Sequence, residues 1–217
     1  MIKCAIFDLD GTLVNSIDDL GLATDYVLKQ YGKEPKWTTD DYRLFVGNGA
    51  KKLVERAFEH KLSPAELEKA YEMFKEKYNE ILLDHAHLYD GIKEQLDILK
   101  QKGIKIAVNS NKRGDYTSAL VNKYFSQFPW TAVYGERESE GIPKKPDPSA
   151  ALEIADLMKL PKEEILYIGD SKTDMQTGQN AGMDTIGVSW GFRGRKELEE
   201  NHASYVVDHP EDILKFI

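Results

Sequence analysis

The chain has 217 residues, enough for one large domain or for a core carrying an insertion, and 41% of them are hydrophobic, so a buried core is well supplied. Its 37 acidic against 29 basic residues leave a formal charge of −8, which argues against a broad nucleic-acid footprint and against docking on an anionic membrane. A single cysteine, Cys4, rules out an intramolecular disulfide and a thiolate metal cluster, and neither a signal peptide nor a run of about 18 apolar residues is present, so a soluble cytoplasmic protein is expected.

Ile2 to Phe7 is a short apolar run, and Gly11 is the first backbone break, so a strand should end near Asp8. Asp8 and Asp10 then stand at its carboxyl end, and in extended chain two such residues face the same way, with Cα atoms about 6.6 Å apart. Either they cap a turn or they share one ligand.

From Ser16 to about Asp84 the pattern is helical and nearly free of strand signals. Asp18 and Asp19 suit a first helical turn, and Leu20, Ala23, Val27 and Leu28 form its apolar stripe, which Lys33 to Trp37 breaks. Further helices are expected over Asp41 to Val46, Ala50 to Glu59 and Pro64 to Leu83, the last started by Ser63-Pro64-Ala65-Glu66. Tyr71, Phe74 and Tyr78 recur at helical spacing and read as core. Gly47-Asn48-Gly49 lacks the third glycine of a dinucleotide fingerprint and reads as a turn, or as a loop facing substrate. Residues 16–85 are thus expected to form an inserted helical cap, and residues 1–15 with 86–217 the core.

After Asp90-Gly91 helix and strand alternate. Helices are expected over Ile92 to Lys102, Gly114 to Phe125, Pro148 to Met158 and Thr173 to Ala181. Strands are expected over Ile104 to Val108, Thr131 to Tyr134, Ile165 to Ile168 and Asp184 to Val188. Tyr205 to Val207 reads as an edge strand and Glu211 to Ile217 as a terminal helix. Such alternation predicts an α/β fold, a Rossmann-like doubly wound parallel sheet, whose ligands bind beyond the carboxyl ends of the strands.

Three polar clusters fall there. Asn109-Ser110-Asn111-Lys112 follows one strand, Gly169-Asp170-Ser171-Lys172-Thr173-Asp174 follows another, and Pro143-Lys144-Lys145-Pro146-Asp147-Pro148 lies between them, with prolines stiffening the loop around Lys145. Singly, each is equally a helix cap or a solvated turn. Together with Asp8 and Asp10 they converge on one end of the sheet. At an effective dielectric of 20, two like charges about 4 Å apart repel by about 4 kcal/mol, so Asp8, Asp10 and Asp170 would need a cation between them. Oxygen donors without thiolates or clustered histidines favour Mg2+. Metal and Lys145 would then neutralise a phosphate hydrogen-bonded by Ser110 and nearby N–H groups.

These residues resemble the haloacid dehalogenase superfamily across nearly the whole chain. Asp8-Leu9-Asp10-Gly11-Thr12-Leu13 is similar to its first motif, Ser110 to its second, Lys145 in Lys-Pro-Asp-Pro to its third, and Gly169-Asp170-Ser171 with Asp174 to its fourth. Within it the chain looks like the phosphoglycolate phosphatase-like enzymes with a C1 cap, through Leu13-Val14-Asn15-Ser16, Val46-Gly47-Asn48-Gly49, Ser110-Asn111-Lys112 and Val188-Ser189-Trp190-Gly191. The resemblance implies Asp8 as nucleophile on phosphorus and Asp10 as acid and base. It implies Mg2+ held by Asp8, the Asp10 carbonyl and Asp170, with Asp174 supporting metal and Lys145, and phosphate bound by Ser110, Asn111 and Lys145. Asn15 stands where many relatives carry Asp. His85 and His87 read as an exposed connection between cap and core.

The expected activity is Mg2+-dependent hydrolysis of a small phosphorylated metabolite by a monomer or homodimer, without nucleic-acid or membrane partners. A phosphosugar mutase shares the core motifs. A phospho-accepting signalling domain also joins Asp, Lys and Mg2+ on a parallel sheet, but Asp10 and the insertion count against it, and the intact motifs count against a silent binding protein. Cap residues Arg43, Asn48 and Lys51 are the candidates for contacting substrate.

Overall fold

The computed structural model describes residues 1–217, which divide into two compact units, Met1–Val14 with Leu88–Ile217 and Asn15–His87. The chain opens with β1 (Cys4–Phe7) and passes between the units on two short strands that pair with each other, β2 (Val14–Asn15) and β3 (His87–Leu88).

The inserted unit holds α1 (Ile17–Gln30), α2 (Thr39–Phe45), α3 (Ala50–Ala57) and α4 (Pro64–Ile81). Capping boxes start α2 and α4: Thr38 with Asp41, and Ser63 with Glu66. The first of them moves the start of α2 two residues ahead of the expected Asp41. Phe74 and Tyr78 are buried and stacked at 5.4 Å, as a core aromatic pair should be, whereas Tyr71 is only partly buried, with the Lys75 ammonium over its ring. Asp19, placed by its sequence position in a first turn, is buried and accepts hydrogen bonds from the N–H groups of His85 and Ala86, with His85 Nδ1 2.8 Å away. The return segment at His85 is therefore anchored, not merely exposed. Asn48 accepts from Arg56 at 2.7 Å, Arg43 pairs with Asp40, and Lys51 pairs with Glu68.

The core unit adds α5 (Ile92–Gln101), β4 (Lys105–Arg113), α6 (Gly114–Phe125), β5 (Trp130–Glu136), α7 (Ser149–Met158), β6 (Ile165–Gly169), α8 (Lys172–Ala181), β7 (Asp184–Val188), α9 (Gly194–Glu200) and β8 (Tyr205–Val207). Its six strands run in the order β5-β4-β1-β6-β7-β8, all neighbours parallel. β1 is apolar throughout, as suits a strand covered on both faces, and Cys4, Ala5 and Ile6 are fully buried. Cys4 and Ile6 pack with Ala107, Ile154 and Tyr167, so Cys4 is a packing residue. The expected terminal helix is instead a 3-10 segment, Pro210–Phe216, a seven-residue stretch in which only Pro210 and Ile213 are buried.

Register places the chemistry. Phe7 lies opposite Val108 on one flank and Ile168 on the other, so Asp8, Asn109 and Gly169 occupy the next rung together. The strand expected to stop at Val108 continues as β4 to Arg113, with an irregular stretch in its pairing to β5 after Asn109. Ser110, Asn111 and Lys112 thus ride on strand backbone.

Candidate active site

Three carboxylates meet at this edge: Asp8 after β1, Asp170 after β6 and Asp174 in the first turn of α8 offer oxygens within 4.8 Å of one another, all buried. Lys145 reaches into them from the loop before α7. Its Nζ lies 2.8 Å from Asp8 Oδ1 and 2.7 Å from Asp174 Oδ1. Burial alone would depress the Lys145 ammonium, but Asp174 and Asp8 outweigh it and hold its pKa well above the ordinary value. Burial pushes the Asp8 carboxyl up to about 7 against the opposing pull of Lys145, and it raises Asp170 well above the carboxylate range, with Asp174 and Asp8 adding to the effect.

The three carboxylates are not equivalent. Asp174 spends one oxygen on Lys145 and the other on the Ser171 hydroxyl and N–H, at 2.6 and 3.1 Å. It is the fixed support of the group. Asp170 Oδ2 accepts from the Phe192 N–H at 2.6 Å in a tight cradle: a Cβ on Gly11 would stand 2.3 Å from that oxygen, and one on Gly191 2.3 Å from Asp170 Cβ. Such a buried, all-oxygen set with surplus negative charge fits a hard divalent cation.

Asp10, expected from the sequence to converge with Asp8 and Asp170, lies two residues beyond Asp8 and is not one of the three grouped carboxylates. Leu9 O accepts from the N–H groups of Thr12, Leu13 and Val14, and the Gly11 N–H donates to Val14 O and closes the turn, with Gly11 at φ 87° where a side chain would be strained. Trp190 Nε1 donates to Thr12 O at 3.1 Å and fastens this turn to the segment after β7. Ser110 is buried on β4, and its Oγ accepts from the Lys112 N–H at 3.2 Å. The Asn111 side chain is engaged with the Lys145 backbone and so braces the lysine loop against β4.

Three contributors had been given no role of their own in the sequence. Lys112 Nζ sits 3.1 Å from both Asp10 oxygens. Tyr167, deep in β6, accepts from Asn109 Nδ2 at 3.0 Å and borders Lys145. Gly191 admits Asp170. Of these, Lys112 and Gly191 stand in stretches singled out in the sequence, Asn109-Ser110-Asn111-Lys112 and Val188-Ser189-Trp190-Gly191, whereas Tyr167 was only part of an apolar strand.

Parallel sheet, insertion after the first strand and acid-lysine cluster at the strand ends define a hydrolase class, and comparison agrees: residues 5–188 match the model of the haloacid dehalogenase-like hydrolases, and the chain belongs to that family. Within it the chain is a phosphoglycolate phosphatase-like enzyme. It is 32% identical over 212 residues to the phosphoglycolate phosphatase of Psychrobacter arcticus, covering 94% of this chain and 90% of that one. It is 32% identical to phosphoglycolate phosphatase 1 of Pseudomonas aeruginosa, covering 98% of this chain and 78% of the other. A crystal structure of a presumed phosphoglycolate phosphatase from Lactobacillus delbrueckii subsp. bulgaricus superposes with a TM-score of 0.91 at 33% identity, covering 99% and 98% of the two chains. No helix is long and apolar enough to cross a membrane.

Proposed function

We propose that the protein is a Mg2+-dependent phosphomonoesterase that hydrolyses a small phosphorylated metabolite of the phosphoglycolate type through an aspartyl-phosphate on Asp8. The observation that carries this reading is the buried ion-pair group in which Lys145 Nζ touches both Asp8 and Asp174 while Asp170 stands within reach of the same point. Such a group binds a dianion only if its own negative charge is offset. Asp8, the Asp10 carbonyl and Asp170 would hold Mg2+, which would offset that charge and withdraw electron density from the phosphoryl oxygens.

The chain's own residues then divide the work. The Ser110 hydroxyl, the Asn111 N–H and the Lys145 ammonium hold the phosphoryl oxygens. An Asp8 oxygen attacks phosphorus as the ester P–O bond breaks with its electron pair staying on the leaving oxygen, which takes the proton of the Asp10 carboxyl. Asp10, now a carboxylate, accepts a proton from water as the water oxygen attacks phosphorus. Inorganic phosphate leaves and Asp8 is restored. The Asp8 and Asp10 pair suits both steps, because Asp8 needs no base once Lys145 and the cation favour its carboxylate form, and the acid becomes the base by giving up its proton.

The test is hydrolysis of a phosphomonoester panel, including phosphoglycolate, with and without Mg2+, by the wild type and Asp8→Asn. The wild type should turn over small esters only with the metal, and Asp8→Asn should be inactive. Equal turnover by the two proteins ends the nucleophile assignment, and transfer of phosphate to a sugar in place of water points to a mutase.

A further inference from the structure

We infer that Lys112 is a positioning residue for Asp10, aiming the carboxyl that serves the leaving oxygen; the inference rests on the reading of Asp10 proposed above. The sheet builds this pair across two strands. Ser110 and Lys112 stand two apart on β4, so their side chains leave the same face, and the Lys112 N–H braces Ser110 Oγ at 3.2 Å. From there the lysine stem crosses to the turn after β1. Its Nζ stands 3.1 Å from Asp10 Oδ1 and 3.1 Å from Oδ2, with side-chain exposures of only 5% and 13% for lysine and aspartate.

This cation is not needed for the charge of the carboxylate cluster, because Lys145 already serves Asp8 and Asp174. The site therefore holds two lysine-aspartate systems. One grips the nucleophile and its support, the other grips the acid. A compact ammonium set evenly against both oxygens favours one direction of the carboxyl plane. Lys112 does not touch the phosphorus centre in this scheme. Its effect should appear only where a proton must reach the departing oxygen.

Leaving-group dependence reads that directly. An alkyl oxide departs poorly without a proton, whereas 4-nitrophenolate departs readily. We expect Lys112→Met to lower kcat/KM by about 100-fold for phosphoglycolate, or for whichever alkyl phosphate the panel ranks highest, the scale of a lost general acid, and by less than about 3-fold for 4-nitrophenyl phosphate. In an Asp10→Asn background the same substitution should cost nothing more, because the two act as one unit. Parallel losses on the two esters, no loss on either, or additive losses in the double variant would overturn the inference. If melting shows that Lys112→Met does not fold, Lys112→Arg keeps the cation and moves its donors; it should split the esters in the same direction by about 10-fold, and a parallel change overturns the inference. A wild type that hydrolyses neither ester, or an Asp8→Asn variant as active as wild type, strikes at the phosphatase reading itself and takes this inference with it.

Discussion

Asn111 and Lys145 are joined by two hydrogen bonds of opposite sense: the Lys145 N–H donates to Asn111 Oδ1 at 2.8 Å, and Asn111 Nδ2 donates to the Lys145 carbonyl at 3.1 Å. The amide reads the backbone of the lysine loop as a neighbouring strand would. The loop is thereby registered to the end of β4, and Nζ reaches Asp8 and Asp174 from a fixed base.

Asn111→Ala should therefore act at a distance. It leaves a buried N–H and a buried C=O without partners, at about 1–3 kcal/mol each, and lets Lys145 drift. We expect a lower melting temperature and a fall in kcat/KM of at least about 10-fold. Asn111→Asp keeps the acceptor but sets an oxygen against the Lys145 carbonyl, and should do no better than alanine. Melting curves and steady-state kinetics on both variants check this.

Charge at the carboxylate cluster predicts a pH effect. The folded pKa of Asp8 stands at about 7, raised from the ordinary 3.8, so the folded state binds this proton more tightly than the unfolded chain. The stability tied to that proton is complete below 3.8 and is lost as pH climbs through about 7. In protein stripped of divalent cations, Asp8→Asn should melt above wild type at about pH 8, with the gap closing toward pH 4. Added Mg2+ should raise the wild-type melting temperature more at pH 8 than near pH 5, where protons compete for the same oxygens, and Asp170→Asn should lose the response. A scan of melting temperature against pH, with and without the metal, decides it.

Gly191 gives a steric test. A Cβ there would stand 2.3 Å from Asp170 Cβ and 2.4 Å from the Gly11 carbonyl oxygen, and that backbone cannot yield cheaply. Gly191→Ala should displace Asp170, weaken Mg2+ binding by about 10-fold or more, and lower stability by about 1–3 kcal/mol. Gly114→Ala, where the added Cβ meets nothing within 4 Å, serves as the control and should change stability by less than about 0.5 kcal/mol. Metal titration and thermal melts of both variants provide the comparison.

The sheet, the insertion and the carboxylates at the strand ends were legible from local pattern, because apolar runs closed by Asp8 or by Gly169-Asp170 carry their meaning within a few residues. Features whose partners lie far along the chain were not legible. Asp19 looked like an ordinary first-turn acid, yet its acceptors serve residues 66 and 67 positions away. Lys112 and Asp10 are separated by 102 positions, and no spacing rule joins them. The helix over Gly194–Glu200 was missed because Leu198 is its only buried residue, too few for any period to show. The two-residue strands β2 and β3 are likewise shorter than any alternation.

Strand order also bears on how the molecule is made. The strand that delivers Asp8 precedes every other strand of the sheet in chain order, yet it lies in the interior, flanked by β4 and β6, and its second flank is filled only when Ile165–Gly169 emerge. Until β6 is made, the nascent chain therefore carries a strongly apolar ribbon with at least one row of N–H and C=O groups unpaired, an open template for misassociation. Asp8 is thus made well over 100 residues before the strand that closes its second side.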